Sequence, residues 1–421
     1  MIWLLIGYMY LFIHRPFEIW DWLAVLRVER VFMLITLAYW ALVAKKSWTS
    51  NRLNLGVALF TLSFCLSTAF SQYVGFSNLG VQDWLKLLVF YFLVITSVNR
   101  PQDLKLLIIA FVVIAGIYEL HSLREFFNGR RVYRMGTWRM VAVTRTLSDP
   151  NSFAATTNTF IPMLLPLTLF AKQRWQKLTL LGLLALFLLT IFLTGSRSGL
   201  IALIALVVGV ILCTKHRWKI LPVIILIPIL LWGFLPEDLQ QRYRTIIDPS
   251  SGPANAKQSA DSRVEFFWAA TKIWNREPIF GVGPNAFKTA SGIGKAPHSL
   301  YAQTISDFGT LGVIALGILL LCFATNFFQA RNTFKPVSDD QWARFHYFVV
   351  IASTVGILQL LVLGFAGHNL LRFTWIWYAA FAAAGMKFLQ ERRNDLDQSD
   401  ASPETTPAEI AATQKKDSQR E

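Results

Sequence analysis

Long apolar stretches alternate with short polar ones along almost the whole chain. The apolar runs fall at about 2–13, 31–44, 55–70, 84–98, 104–120, 153–171, 178–194, 199–213, 220–235, 311–328, 347–366 and 370–389. A bilayer core of about 30 Å takes about 20 apolar helical residues per crossing. The pattern therefore predicts an all-α, polytopic membrane protein with about twelve transmembrane helices. The first run is the weakest, because His14, Arg15 and Pro16 cut it short. It has no basic start and no small-residue cleavage site of the kind a signal peptide carries, and it is read as a span.

Composition agrees with this reading. Of 421 residues, 54% are hydrophobic and 15% charged, and the mean hydropathy is +0.45. A soluble domain could not hide so much apolar surface, and disordered chains, disulfide scaffolds and nucleic-acid modules fit poorly. Cys65, Cys213 and Cys322 all lie in apolar runs, so no disulfide or metal framework follows from them. After a transmembrane domain over 1–390, residues 391–421 are expected to form a disordered cytoplasmic tail, since large apolar side chains nearly vanish there.

The net charge of +15 is not spread evenly. One alternate set of loops holds Lys45, Lys46 and Arg52; Arg100 and Lys105; Lys172, Arg174 and Lys177; Lys215, Arg217 and Lys219; and Arg331, Lys335 and Arg344. The tail adds Arg392 and Arg393. Excess Lys and Arg in short loops marks the cytoplasmic side, which puts both termini inside. The opposite set includes Ser71–Asp83 without a base, the turn Thr194–Ser198 and the link Gly367–Asn369. It also holds two long segments, about 120–151 and 236–298, rich in Trp, Phe and Tyr. Loops of that length between packed spans usually carry function, and these are expected to form a cap of short amphipathic helices on the outer face.

The first long loop carries Arg124, Arg130, Arg131, Arg134, Arg139 and Arg145, and no Lys. Outer positive charge opposes the topology rule, and exclusive use of Arg points to planar, multidentate recognition of phosphate or carboxylate. The competing reading is a cationic face against anionic headgroups. Asp149-Pro150-Asn151 ends the loop as a helix-capping sequence, a structural role. Arg197, in Gly195-Ser196-Arg197-Ser198-Gly199, sits between two spans with almost no loop. A charge at membrane depth is expensive and suggests function; snorkelling to headgroups is the alternative. Arg197 is the best single anion-binding candidate.

The second long loop supplies Arg242 and Arg244, then a Pro-, Gly- and Ser-rich stretch, Asp248–Ser262, expected to be mobile. From Arg263, the residues Phe266, Phe267, Ala270, Ile273 and Trp274 share one side at 100° per residue. This predicts an amphipathic helix along the interface. Arg263 is placed at its start, where free N–H groups favour an anion. Gly281-Val282-Gly283-Pro284-Asn285 makes a turn, and no strand–turn–helix unit makes it a dinucleotide fingerprint. The loop ends at Pro297-His298-Ser299-Leu300. His298 is as readily a structural hydrogen-bonder as a proton acceptor, and its place among outer arginines favours the second role.

These pieces, in this order, resemble the O-antigen ligase and O-antigen polymerase superfamily of bacterial membrane glycosyltransferases. The matching stretches are SDPNSFA, TGSRSGL, DSRVEFFW, REPIFGVGPNAF and APHSLYAQTISDFGTLG, within roughly 145–320. The resemblance implies a large helical fold of the GT-C kind in the bacterial inner membrane. It implies transfer of a glycan from an undecaprenyl-diphosphate carrier to an acceptor hydroxyl (lipid A core or similar) at the periplasmic face, without nucleotide sugar, cofactor or obligatory metal. The family arginines that engage the diphosphate correspond to Arg197 and Arg263, and the family histidine to His298. Arg139 and Arg145 match loosely, and Arg242 and Arg244 are further candidates for binding substrate. A repeat-unit polymerase and a protein O-oligosaccharyltransferase remain open within the family. A secondary transporter would show mid-membrane ionisable groups and repeated halves, and neither pattern is evident in this sequence.

Overall fold

The computed structural model describes residues 1–134, 136–213, 235–246, 255–367 and 369–401, with isolated positions between 222 and 233. The run at 220–235, the bases Lys215, Arg217 and Lys219, and the first half of Asp248–Ser262 lie mostly outside the described residues.

The chain begins with α1 (Ile2–Ile13), the short α2 (Pro16–Ile19) and α3 (Asp21–Val25), and α4 (Val28–Leu42). Three long helices follow: α5 (Arg52–Ala69), α6 (Val74–Ser97) and α7 (Pro101–Phe127). After a hairpin of β1 (Arg131–Arg134) and β2 (Thr137–Met140) come α8 (Pro150–Phe160), a 3-10 turn at Ile161–Met163, and α9 (Leu164–Thr168). Then follow α10 (Arg174–Leu193), α11 (Arg197–Cys213), α12 (Glu237–Arg244) and α13 (Asn255–Arg276). The series closes with α14 (Phe287–Ala290), α15 (Leu300–Phe334), α16 (Gln341–Gly364) and α17 (Phe373–Ala401).

Local chemistry sets many of these boundaries. Asn51, Asp149, Ser299 and Asp340 each accept a backbone N–H at the start of α5, α8, α15 and α16, which relieves one of the four orphan donors of a helix start. Pro101 and Pro150 occupy first-turn positions, where a missing N–H costs nothing. Pro162 and Pro166 fall in the run read as one span over 153–171, which the structure divides into α8, a 3-10 turn and α9.

Helix α17 runs through the centre. Trp375, Trp377, Tyr378 and Phe381 are fully enclosed, together with a row of buried alanines from Ala379 to Ala384. Those small side chains let neighbouring helices approach closely, and Trp377 stacks on Phe90 of α6 with ring centroids 4.1 Å apart. On the outside, Leu55, Leu62, Leu181, Ile204, Ile314, Leu321 and Leu358 are exposed. An apolar exterior around a packed helical interior suits lipid as solvent. Among the described residues, six helices are long and apolar enough to cross a membrane: α5, α6, α7, α10, α15 with the turn after it, and α16. Helix α1 is 12 residues long, about 18 Å at 1.5 Å per residue, so it does not cross a 30 Å core unaided.

Contacts tie several loops to one another in two groups. At one end Asn99 donates to the Lys45 carbonyl, Lys387 donates to Ser47, and Asn51 donates to Asn326. Lys105 lies over the Phe170 ring at 3.9 Å, Gln341 donates to the Leu169 carbonyl, and Arg392 pairs with Asp340. At the other end Arg145 pairs with Asp21, Thr146 donates to Glu18, and Ser71 donates to the Val282 carbonyl.

Three expectations need correction. The loop at 120–151 is not purely helical, since Arg131–Arg134 and Thr137–Met140 pair antiparallel, with Arg134 opposite Thr137. Helix α13 begins at Asn255, so Arg263 lies eight residues inside a long helix and away from its N-terminal amides. Helix α17 continues to Ala401, so the compositional boundary at 391 falls within a helix; residues 402–421 lie outside the described residues.

Candidate functional site

The turn between α10 and α11 is the centre of an arginine cluster. Gly195 adopts φ +59, a left-handed conformation that a side chain would strain. A Cβ there would lie 2.9 Å from Leu239 and 3.2 Å from Arg242. At Gly199 a Cβ would meet that of Ala154 at 2.9 Å. The glycines of the Gly-Ser-Arg-Ser-Gly turn thus let α12 and α8 close on it. Ser196 accepts the Gly199 N–H at 3.2 Å and caps α11.

Three guanidinium groups converge there. Arg139, fully buried on β2, donates from Nε to the Thr194 carbonyl at 2.6 Å and from Nη2 to Asn151 at 2.8 Å. Arg242 on α12 donates from Nε to the Gly195 carbonyl at 2.7 Å. Arg197, the first residue of α11, donates from Nη1 to Thr245 at 3.1 Å. A cation at a helix N-terminus opposes the helix dipole, so its own helix does not reward Arg197 for its charge. Next to Arg242, Tyr243 donates to the Phe192 carbonyl at 3.0 Å and anchors α12 on the end of α10.

The cations perturb each other. Burial pushes Arg139 down to about 9, with the Arg242 charge adding to the effect and Asp149 opposing it. Arg242 is lowered by burial and then by Arg197. Arg263 is likewise lowered by burial and then by Arg197, which puts the half-buried Arg263 within electrostatic reach of the turn. All stay protonated at neutral pH. Positive charges held together against repulsion form a site that an anion would relieve.

His298 joins the cluster from the re-entry of the chain into α15. It is a non-glycine residue at φ +43, a left-handed conformation costing on the order of 1 kcal/mol and typical of functional positions. Its ring lies 5.7 Å from that of Phe266 on α13. The residue is exposed, yet desolvation still comes first among the causes that lower its pKa. Asp149 raises it, and Arg134, Arg263 and Lys295 lower it further. The imidazole is therefore neutral at pH 7, as a proton acceptor must be.

Asp149 joins the two halves of this arrangement. One oxygen accepts the Ser152 N–H at 2.9 Å, and the other pairs with Arg134 at 2.7 Å. The capping role expected of Asp149 is present, and a second role in holding Arg134 accompanies it. Arg139, Arg197 and Arg242 are thus brought together at the turn, Arg263 lies within electrostatic reach of Arg197, and His298 within reach of Arg263. Arg145 is not among them: it is largely exposed and paired with Asp21 at 3.0 Å. Arg244 is exposed, two residues past Arg242. Arg131 lies over Trp138 at 4.8 Å.

Two parts of the site were missed from sequence. Arg372, inside an apolar run, donates from Nη1 to the Ser152 carbonyl at 3.1 Å and also to Thr156. The Gly281–Asn285 turn is tied to a break in α15. Asp307 accepts the N–H groups of Asn285 and Phe287 at 3.1 and 3.2 Å, and Gly309 lies at φ +61. Thr310 and Leu311 donate to the carbonyls of Pro278 and Ile279, and Val282 and Gly283 donate to those of Ser306 and Asp307.

The comparison with curated proteins finds no match. Residues 181–317 match the family model described as O-antigen ligase, a stretch running from α10 through the first half of α15. The match supports the O-antigen ligase superfamily, and Arg197, Arg242, Arg263 and His298 all lie within the matched stretch.

Proposed function

We propose that this protein moves a glycan from a polyprenyl-diphosphate carrier, undecaprenyl diphosphate in bacteria, to an acceptor hydroxyl at the periplasmic face of the inner membrane. The observation that carries this reading is the convergence of Arg139, Arg197 and Arg242 on one turn, with Arg263 and a neutral His298 beside them. Breaking the bond between the anomeric carbon and the diphosphate loads negative charge on the leaving oxygen. Cations already in place stabilise that charge without moving a proton. The acceptor hydroxyl loses its proton to His298 as it attacks from the opposite side, which inverts the anomeric centre.

Both termini are assigned to the cytoplasm on the excess of Lys and Arg in the loops at about 45–52, 100–105, 172–177 and 331–344. The acceptor is taken to be a lipid A core or a comparable glycolipid; a growing glycan or a protein Ser or Thr defines the other branches of the superfamily. Purified protein, a polyprenyl-diphosphate glycan and an acceptor glycolipid test the reading together. Transfer should proceed without nucleotide or proton gradient. A single added glycan marks a ligase and a ladder of lengths marks a polymerase. No product with any of the three acceptor classes would end the proposal.

A further inference from the structure

Beside Arg372 lies a cavity of about 380 Å³, within the range of about 300–1,000 Å³ typical of small-ligand sites. It is bounded by the end of α1, the middle of α6, the 146–152 segment, and the starts of α15 and α17. Most of these elements lie outside the matched family segment. The charges on its wall fall into two kinds. Lys86 pairs with Asp83 at 3.3 Å and Glu29 at 3.8 Å, and Arg15 pairs with Glu18. Arg372 has no carboxylate within 4.0 Å among the described residues, and both its hydrogen bonds leave from Nη1.

Gln303 supplies a second, independent sign of a ligand. It lines the cavity and is 4% exposed. Its side chain hydrogen-bonds Asp307, while its Oε1 is buried with no partner. Buried acceptors are nearly always satisfied in folded proteins, and a donor hydroxyl from a bound sugar would satisfy this one. The unused edge of Arg372 suits a carboxylate or phosphate. The carboxylates of Asp83 and Glu29 suit further hydroxyls.

We propose that this cavity binds an anionic sugar residue of the acceptor, with Arg372 holding the acidic group and Gln303 a hydroxyl. The inference rests on the transfer reaction proposed above, in which the diphosphate occupies the arginine cluster and the acceptor brings its hydroxyl to His298.

Two measurements separate this inference from that reaction. The first needs no activity. Saturation-transfer NMR on the full-length protein in nanodiscs uses glucuronate and glucose 6-phosphate as probes, with glucose as the neutral comparison. The anionic probes should bind wild type and Arg197→Ala, and should lose at least tenfold in affinity in Arg372→Gln and Gln303→Leu. Equal binding by wild type and Arg372→Gln, or none by wild type, overturns the subsite. The second is kinetic: Arg372→Gln should raise the acceptor KM about tenfold and leave the donor KM within twofold. A change confined to the donor KM, or to kcat, also overturns it. Arg372→Lys, which keeps the charge, distinguishes a fold defect, since it should recover thermal stability and part of the binding.

Discussion

Arg242 donates its Nε–H to the carbonyl oxygen of Gly195 at 2.7 Å, so a loop helix far along the chain is fastened to the turn that presents Arg197. The same guanidinium that adds charge to the site also fixes its geometry. Arg242→Ala should therefore act twice, lowering transfer by at least tenfold and stability by about 1–3 kcal/mol, the cost of stranding a partly buried acceptor. Arg244→Ala, two residues on and exposed, should change stability by less than about 0.5 kcal/mol. Thermal unfolding in detergent beside an activity assay checks both; equal effects at the two positions would remove α12 from the site.

Arg197→Ala should abolish transfer while the protein still inserts and unfolds at a near-normal temperature. Its side-chain hydrogen bond to Thr245, at 3.1 Å, is not buried deeply enough to decide the fold. Arg197→Lys should recover little, because an ammonium offers no planar fork to a diphosphate. Near wild-type rates in the Lys variant would reduce the role of Arg197 to charge alone.

The dependence of rate on pH follows from His298. Its pKa is lowered from 6.5 by burial first, opposed by Asp149 and assisted by Arg134, Arg263 and Lys295. The neutral, proton-accepting form thus prevails above that lowered value, and kcat should fall only as pH drops through it, below 6.5. Lys295→Glu removes a repelling cation and adds an attracting carboxylate, so the inflection should move to higher pH. A profile that Lys295→Glu leaves in place would mean another group limits the acid side.

His298 also stores backbone strain at φ +43. His298→Gly should be more stable than His298→Ala by about 1 kcal/mol, since only glycine adopts that conformation freely, while both lose transfer. Comparison of their unfolding midpoints checks this, and a more stable Ala variant would contradict the strain.

Sidedness can be read by labelling. In a background with Cys65, Cys213 and Cys322 replaced, Lys295→Cys and Arg244→Cys should react with a membrane-impermeant maleimide added outside. Arg100→Cys should react only after permeabilisation. The reverse pattern would place the arginine cluster in the cytoplasm and end the assignment to the periplasmic face.

Much of this was legible in the sequence, for identifiable reasons. Apolar runs mark helices because lipid and packed interior both demand them, and Arg197 stood out because charge at a near-absent loop is rare. The hairpin was hidden by its brevity: four-residue strands with side chains such as Tyr133, Trp138 and Arg139 look as much like an interfacial helix as a ribbon. Arg372 was hidden by its setting, since one base in a long apolar run does not break the hydropathy pattern. The position of Arg263 within its helix is hidden because amphipathic spacing starts only there, whereas α13 begins eight residues earlier, in a polar stretch of sequence. The ends of α17 tell the same story, since helix propagates past the last apolar side chain.

The break in α15 has a practical consequence for anyone engineering the protein. The backbone between Ser306 and Leu311 is completed by the segment from Pro278 to Gly283, and a Cβ at Gly309 or Gly281 would lie 2.6 Å from opposing backbone atoms. An inserted epitope or fluorophore-binding peptide there would strip polar groups of their partners inside the bundle. Ten residues further on, Gly292 and Gly294 face open space, with nothing within 4 Å of an added Cβ. A tag spliced between those two would report on surface display while leaving the fold intact.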